Sequence, residues 1–290
     1  MKKILLATTL IAASTGYAAA EVTVTGAARM GVVMHNDLNG VSTDAQFSSR
    51  VRIIFTATGE TDNGLSFGAS VRNDQSGVGN TANGDSTVYL SGAFGKVTMG
   101  DTGNAADALV GQVSGVGYTG LGDLNEIGWL SRTNTGVMYE YSAGAVTFGL
   151  GAGQTGTNDF VSAAVKYSTD AYTVALGYES NDAADQLSLL GSATFSGATV
   201  KAKIVDFSNN PTGDLEYALS VDYTMNGIGL TAYYADAINT TSGHINEGLQ
   251  TTRYGIGASY DLGGGASVLG GIAREEGTDT IAELGVSMSF

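Results

Sequence analysis

From Glu21 to the C-terminus, apolar residues recur at every second position, and this period constrains the 290-residue chain more than any other feature. A period of two sends successive side chains to opposite faces of a strand, so each run reads as a strand with one apolar and one polar face. Val22, Val24, Ala28, Met30, Val32 and Met34 share one face of the first run, with Thr23, Thr25, Arg29 and His35 on the other. In the second run, Phe47, Val51, Ile53, Phe55 and Ala57 lie opposite Ser48, Arg50, Arg52, Thr56 and Thr58. Leu65, Phe67, Ala69 and Val71 alternate with Ser66, Ser70, Arg72 and Asp74, and the last run sets Ala282, Leu284, Val286 and Met288 against Glu283, Ser287 and Ser289. About sixteen such runs follow one another, divided by turn signals such as Asn63-Gly64, Ser196-Gly197, Asn226-Gly227 and Gly263-Gly264-Gly265. No helical period interrupts them, which makes residues 21–290 one all-β domain.

A soluble sandwich and a membrane barrel both use alternating strands. Here the polar face is mainly Ser, Thr and Gly, and only 14 % of the chain is charged. Many runs have the 9–11 or more residues that a tilted strand needs to cross a bilayer. Tight turns alternate with longer polar connections at 36–45, 75–84 and 236–249, the asymmetry of a transmembrane barrel. Tyr139, Tyr141, Tyr167, Tyr172, Tyr178, Tyr223, Tyr260 and Phe290 sit near strand ends on the apolar face, where interfacial girdles belong. The single proline, Pro211, lies in a long turn, as a closed ladder with no edge strand demands. In lipid every backbone group must be paired, so the sheet has to close.

The first twenty residues stand apart. Lys2 and Lys3, an apolar run from Ile4 to Ala13, and Ala18-Ala19-Ala20 ahead of Glu21 form the three ordered parts of a secretory signal. Cleavage there removes two lysines and no acid, taking the formal charge from −15 to −17. That acidity argues against a nucleic-acid partner, and the absence of Cys excludes disulfides, thiolate metal sites and a Cys nucleophile. The 43 glycines follow no Gly-X-Y period; on a closed barrel they mark tight turns and places where the wall carries no side chain.

Several runs carry a family resemblance: EVTVTGAARMG at 21–31, FSSRVRIIF at 47–55, YLSGAFGKVTMGD at 89–101 and YGIGASYDLGGGAS at 254–267. They resemble the Rhodobacter-type general diffusion porins, densely over about 21–123 and 251–290. The resemblance implies a sixteen-stranded antiparallel transmembrane β-barrel with an inward-folded third loop, a homotrimer in bacterial outer-membrane lipid and lipopolysaccharide, and a water-filled channel for passive diffusion of small hydrophilic solutes and ions. It also implies that the terminal aromatic, Phe290, is an assembly signal.

Residues 101–132 have no period of either kind, and a segment that long inside a compact domain is usually functional. Its many apolar residues, Leu109, Val110, Val113, Val116, Leu121, Ile127, Trp129 and Leu130 among them, require something to pack against. It corresponds to the family's constriction loop. Its acids are Asp101, Asp107, Asp123 and Glu126, with Arg132 where the wall resumes. Facing them, Arg29, Arg50, Arg52 and Arg72 fall on the lumen parity of the first three strands, since an Arg facing lipid at mid-depth costs about 2–4 kcal/mol. Acid and base across a narrow pore give a transverse field that orients polar solutes; the alternative is that the arginines pair with wall carboxylates such as Asp74. No cofactor is required. The resemblance implies calcium, which needs several oxygen ligands, but where the family carries loop acids this chain has Gln112, Gly115, Gly120 and Gly122. Fewer acids weaken a calcium site and make the constriction less cation-favouring.

Rival motifs are weaker. Gly151 to Gly156 matches G-x-G-x-x-G without opening a helix, so it lacks a phosphate-binding N-terminus. His35 and His244 lie in or near long connections with no nucleophile fixed beside them. An outer-membrane hydrolase barrel and a plugged, adhesin-like barrel are the remaining alternatives.

Overall fold

The computed structural model describes residues 21–76, 80–128, 136–154, 159–208 and 215–290. The leader at 1–20, Trp129, Leu130, Arg132 and Pro211 lie outside the described residues. The strands are β1 (Glu21–Met34), β2 (Gln46–Glu60), β3 (Ser66–Ser76), β4 (Asn80–Gly92), β5 (Gly95–Gly100), β6 (Gly136–Ala143), β7 (Val146–Gln154) and β8 (Asp159–Ser168). They continue as β9 (Tyr172–Asn181), β10 (Asp185–Phe195), β11 (Ala198–Phe207), β12 (Glu216–Met225), β13 (Ile228–Ile238), β14 (Gln250–Gly263), β15 (Ala266–Glu275) and β16 (Ile281–Ser289). Each pairs antiparallel with its chain neighbours, and β1 pairs β16 to close a sixteen-stranded barrel. The seam extends past β16, where Gly26 N donates to Phe290 O at 2.7 Å and Phe290 N to Gly26 O at 3.0 Å.

No helix among the described residues is long and apolar enough to cross a membrane; the strands supply the apolar surface. Outward positions such as Val24, Leu150, Val161, Leu176, Leu219, Leu230 and Ile256 are all exposed. Tyr141, Tyr167, Tyr172, Tyr223 and Tyr260 ring the end with tight turns, and Tyr178, Tyr217, Tyr234 and Tyr254 lie towards the other end. Two such belts around an apolar band are the pattern of a lipid-facing wall. Tyr167 stacks on Tyr172 and Tyr217 on Tyr234, with centroids 5.7 and 6.1 Å apart.

The strands match the alternating runs to within a few residues, with one correction. The polar stretch 75–84, expected to be a long connection, is strand on both sides: β3 runs to Ser76 and β4 begins at Asn80. Asn73↔Asn83 and Gln75↔Thr81 are ladder pairs beyond a bulge between Val71 and Asn73. Backbone ladders need no apolar face, so a strand that continues past the apolar band loses the periodic signal and keeps its hydrogen bonds. At the tight end, Gly263, Gly264 and Gly265 all have positive φ, which glycine adopts without strain.

Candidate functional site

The buried apolar residues are not packed wall against wall. They lie between the segment following β5 and the lumen face of the barrel, so that segment folds inward. It opens with a short helix, α1 (Ala105–Val110), whose N-cap Asn104 accepts from Asp107 N at 2.8 Å, satisfying a helix-end donor. Gly111, with φ of 72°, ends it. Six residues are too few for a period to be read, and this hid the helix in the sequence. A 3-10 turn follows at Leu121–Asp123.

From α1 onward the segment travels around the wall. Leu109 packs with Met138 and Ala164, and Val110 with Ala175 and Leu190. Val113 and Ile127 meet Val205, Ala218, Ala235 and Ala237. Val116 and Leu121 meet Tyr233, Ala273 and Ile281. Each aliphatic side chain so buried contributes about 1.5–3 kcal/mol before ordering entropy is subtracted. The wall makes room by omission. A Cβ on Gly177 would lie 2.8 Å from Ala106 and Val110, one on Gly149 2.7 Å from Leu109, and one on Gly257 2.8 Å from Val116. At the tip, the Tyr118 ring occupies the space over Gly31 of β1 and Gly285 of β16. Burial pushes the Tyr118 phenol above its ordinary pKa.

Wall side chains pin the loop backbone. Ser162 accepts from Ala105 N at 2.8 Å, and Ser220 from Ser114 N at 3.0 Å. The Ser114 hydroxyl donates to Asp222 at 2.6 Å. Glu283 accepts from Thr119 N at 2.7 Å and also from the Thr119 hydroxyl. Glu216 accepts from Gly128 N at 2.9 Å, and Lys203 Nζ donates to Ile127 O at 2.8 Å. Lys203 is only 2 % exposed, and Glu216 3 %. Sequence reasoning missed these anchors as a set, although each lies on the lumen parity of its strand. A charged residue on that parity, beside an apolar loop in need of a seat, was the available signal.

The arginines form one patch. Arg29 on β1 and Arg50 on β2 are directly opposed across the strand pair, and Arg52 is opposite Asp74 of β3. Arg52 grips Asp74 through Nε and Nη2, each at 2.9 Å, and Arg72 Nε reaches the same carboxylate at 3.1 Å. Arg29 Nη1 donates to Tyr118 O at 3.1 Å. The charges acting on Arg50 are Arg29, Arg52, Arg72 and Asp74. Pairing with Asp74 thus takes up part of the row, with Asp74 the carboxylate that meets it among the described side chains.

The loop acids are dispersed. Asp101 accepts from Ser86 N at 3.0 Å where β5 ends. Asp107, in the first turn of α1, accepts from Asn104 Nδ2 at 2.9 Å. Asp107 and Glu126, with wall Glu179 and Glu216, bear on the Lys203 ammonium. Asp123 is exposed on the 3-10 turn, and its charge acts on Tyr233. The arginines are therefore brought together; of the four acids, Asp107 and Glu126 converge on Lys203, and Asp101 and Asp123 lie apart. At the positions considered for calcium, Gln112 spends both ends of its amide on Ile127, at 2.9 and 3.1 Å, and Gly115, Gly120 and Gly122 offer no side-chain oxygen. Among the described residues no three His, Asp or Glu side chains gather where they could hold a metal ion.

His244 serves structure. His244 Nδ1 accepts from Asn246 N at 3.1 Å in the β13–β14 connection, and its Nε2 lies 3.5 Å from Glu275. Gly151, first glycine of the G-x-G-x-x-G match, lies within β7 and leaves space for Ala105.

The family of Gram-negative porins matches residues 7–280 of the chain. Over 93 % of the chain and all of the relative, it is 38 % identical to a porin of Rhodobacter capsulatus; a porin of Fuscovulum blasticum is 26 % identical over the same shares. A porin structure refined at 1.8 Å superposes with a TM-score of 0.76 and 35 % identity, covering 93 % of this chain and all of the other. An engineered Rh. blastica porin, 22 % identical, shares the fold with a TM-score of 0.77.

Proposed function

The chain belongs to the Gram-negative porins, and from that footing we propose that its permeability is set where the inward loop faces the arginine row. The protein is a general diffusion channel of the outer membrane and not an enzyme. Its own contribution is the constriction. The supporting observation is that the loop 101–128 is seated on the wall from β6 round to β16 while the arginines of β1–β3 stay in contact with the lumen. Solutes are sieved by the remaining aperture and polarised by the field of the row. Asp101, Asp107, Asp123 and Glu126 contribute less to that field than Arg29, Arg50, Arg52 and Arg72, because Asp107 and Glu126 face the Lys203 ammonium and the other two lie apart.

The donor set at the loop does not suit calcium, and we read the channel as needing no metal or other cofactor. Residues 1–20 act as a cleaved export signal, Phe290 as the assembly signal beside the seam it helps to close, and the barrel associates as a homotrimer in lipid and lipopolysaccharide. Reconstitution of the purified mature protein into planar bilayers tests the reading. Ohmic single-channel steps in KCl are expected, with no energy source; their absence would favour a plugged barrel.

A further inference from the structure

We propose that the row Arg29, Arg50, Arg52 and Arg72 is a saturable site for small multivalent oxyanions, of which inorganic phosphate and phosphate monoesters are the type. The inference rests on the reading of this row as pore lining, and adds to it a ligand class and a stoichiometric competitor.

Two like charges directly opposed on neighbouring strands are unfavourable, yet Arg29 and Arg50 are so opposed. Arg52 follows two residues on, and Arg72 is on the next strand. Rigid strands hold the four side by side, and Asp74, a wall carboxylate among them, shows what the row binds. Asp74 lies in the fork of Arg52, through Nε and Nη2, and also meets Nε of Arg72. Planar guanidinium forks suit carboxylate and phosphate oxygens in this way. Arg50 makes no hydrogen bond among those described, and its neighbouring charges are the other three arginines and Asp74. Side chains of Arg52 and Arg72 remain 28 % exposed, so a solute in the lumen reaches them. A monovalent anion neutralises one guanidinium. A phosphate dianion with three free oxygens spans two forks and relieves the Arg29–Arg50 opposition. Asp74 is then an internal competitor, and its removal strengthens binding.

The test is single-channel current of the full mature protein in KCl, with inorganic phosphate titrated at constant ionic strength. Chloride current through the wild type falls along a saturating curve. Arg50→Ala raises the half-blocking phosphate concentration about tenfold, as loss of one charge-assisted contact implies. Arg50→Lys keeps the charge without the fork, so phosphate block weakens in it too, by less than in Arg50→Ala. Asp74→Asn shifts the half-blocking concentration the other way, to lower phosphate. Open steps with phosphate block that is linear in concentration, or equal in Arg50→Ala and wild type, would overturn the site and leave the channel intact. Asp74→Asn and Arg50→Ala moving in the same direction would overturn it as well, by marking a general loosening of the wall. Absence of open steps in the wild type would overturn the channel reading and the site with it.

Discussion

At Glu283 one carboxylate takes the backbone N–H and the hydroxyl of Thr119, and Gly117 carries no Cβ because that carboxylate occupies its place. Gly117 also has φ of 81°, so the tip of the loop depends on a glycine and on an acid from far along the chain. Glu283→Ala strands two donors, a loss of about 1–3 kcal/mol at the loop tip. Faster uptake of larger sugars in liposome-swelling assays is expected, with Glu283→Gln intermediate because it keeps an acceptor; an unchanged size cutoff for both variants would show that the tip is held by Tyr118 alone. Parity in the sequence put Glu283, Glu216 and Lys203 on the lumen face as readily as it put the arginines there. It could not show which of them touch the loop, because a segment without a period has no register from which contacts can be read.

Among elements, the strands were legible to within a few residues because one apolar face per strand is imposed by lipid. Where that demand ends, legibility ends too: the polar halves of β3 and β4 pair without an apolar face, and α1 is shorter than two turns. The same asymmetry predicts how single strands tolerate charge. Val221, outward in the middle of β12, is 41 % exposed to what lipid would cover, whereas Thr56 of β2 lies on the lumen parity with Arg52. Val221→Arg should destabilise the barrel by about 2–4 kcal/mol in urea unfolding from lipid vesicles, and Thr56→Arg should change it far less. Equal losses for both would mean that the two faces had been assigned to the wrong environments.

For the whole molecule, glycine and net charge carry different meanings from those their totals suggest. The glycines beneath Ala106, Leu109, Val116 and Tyr118 are seats that let an apolar loop lie flat on the wall. The formal charge of −17 left after residues 1–20 are removed is spread over loops and buried anchors, and distance and salt screen most of it from a permeating ion. On the proposed reading, the charges that an ion meets at the narrowing are the clustered arginines. The most direct measurement is the reversal potential of single channels in a KCl gradient, compared between wild type and the double substitution Arg50→Glu and Arg52→Glu. A wild-type potential displaced towards anions despite the acidic chain, and a swing towards cations in the variant, is the predicted result. A cation-favouring wild type whose reversal potential does not move with the substitutions would contradict it.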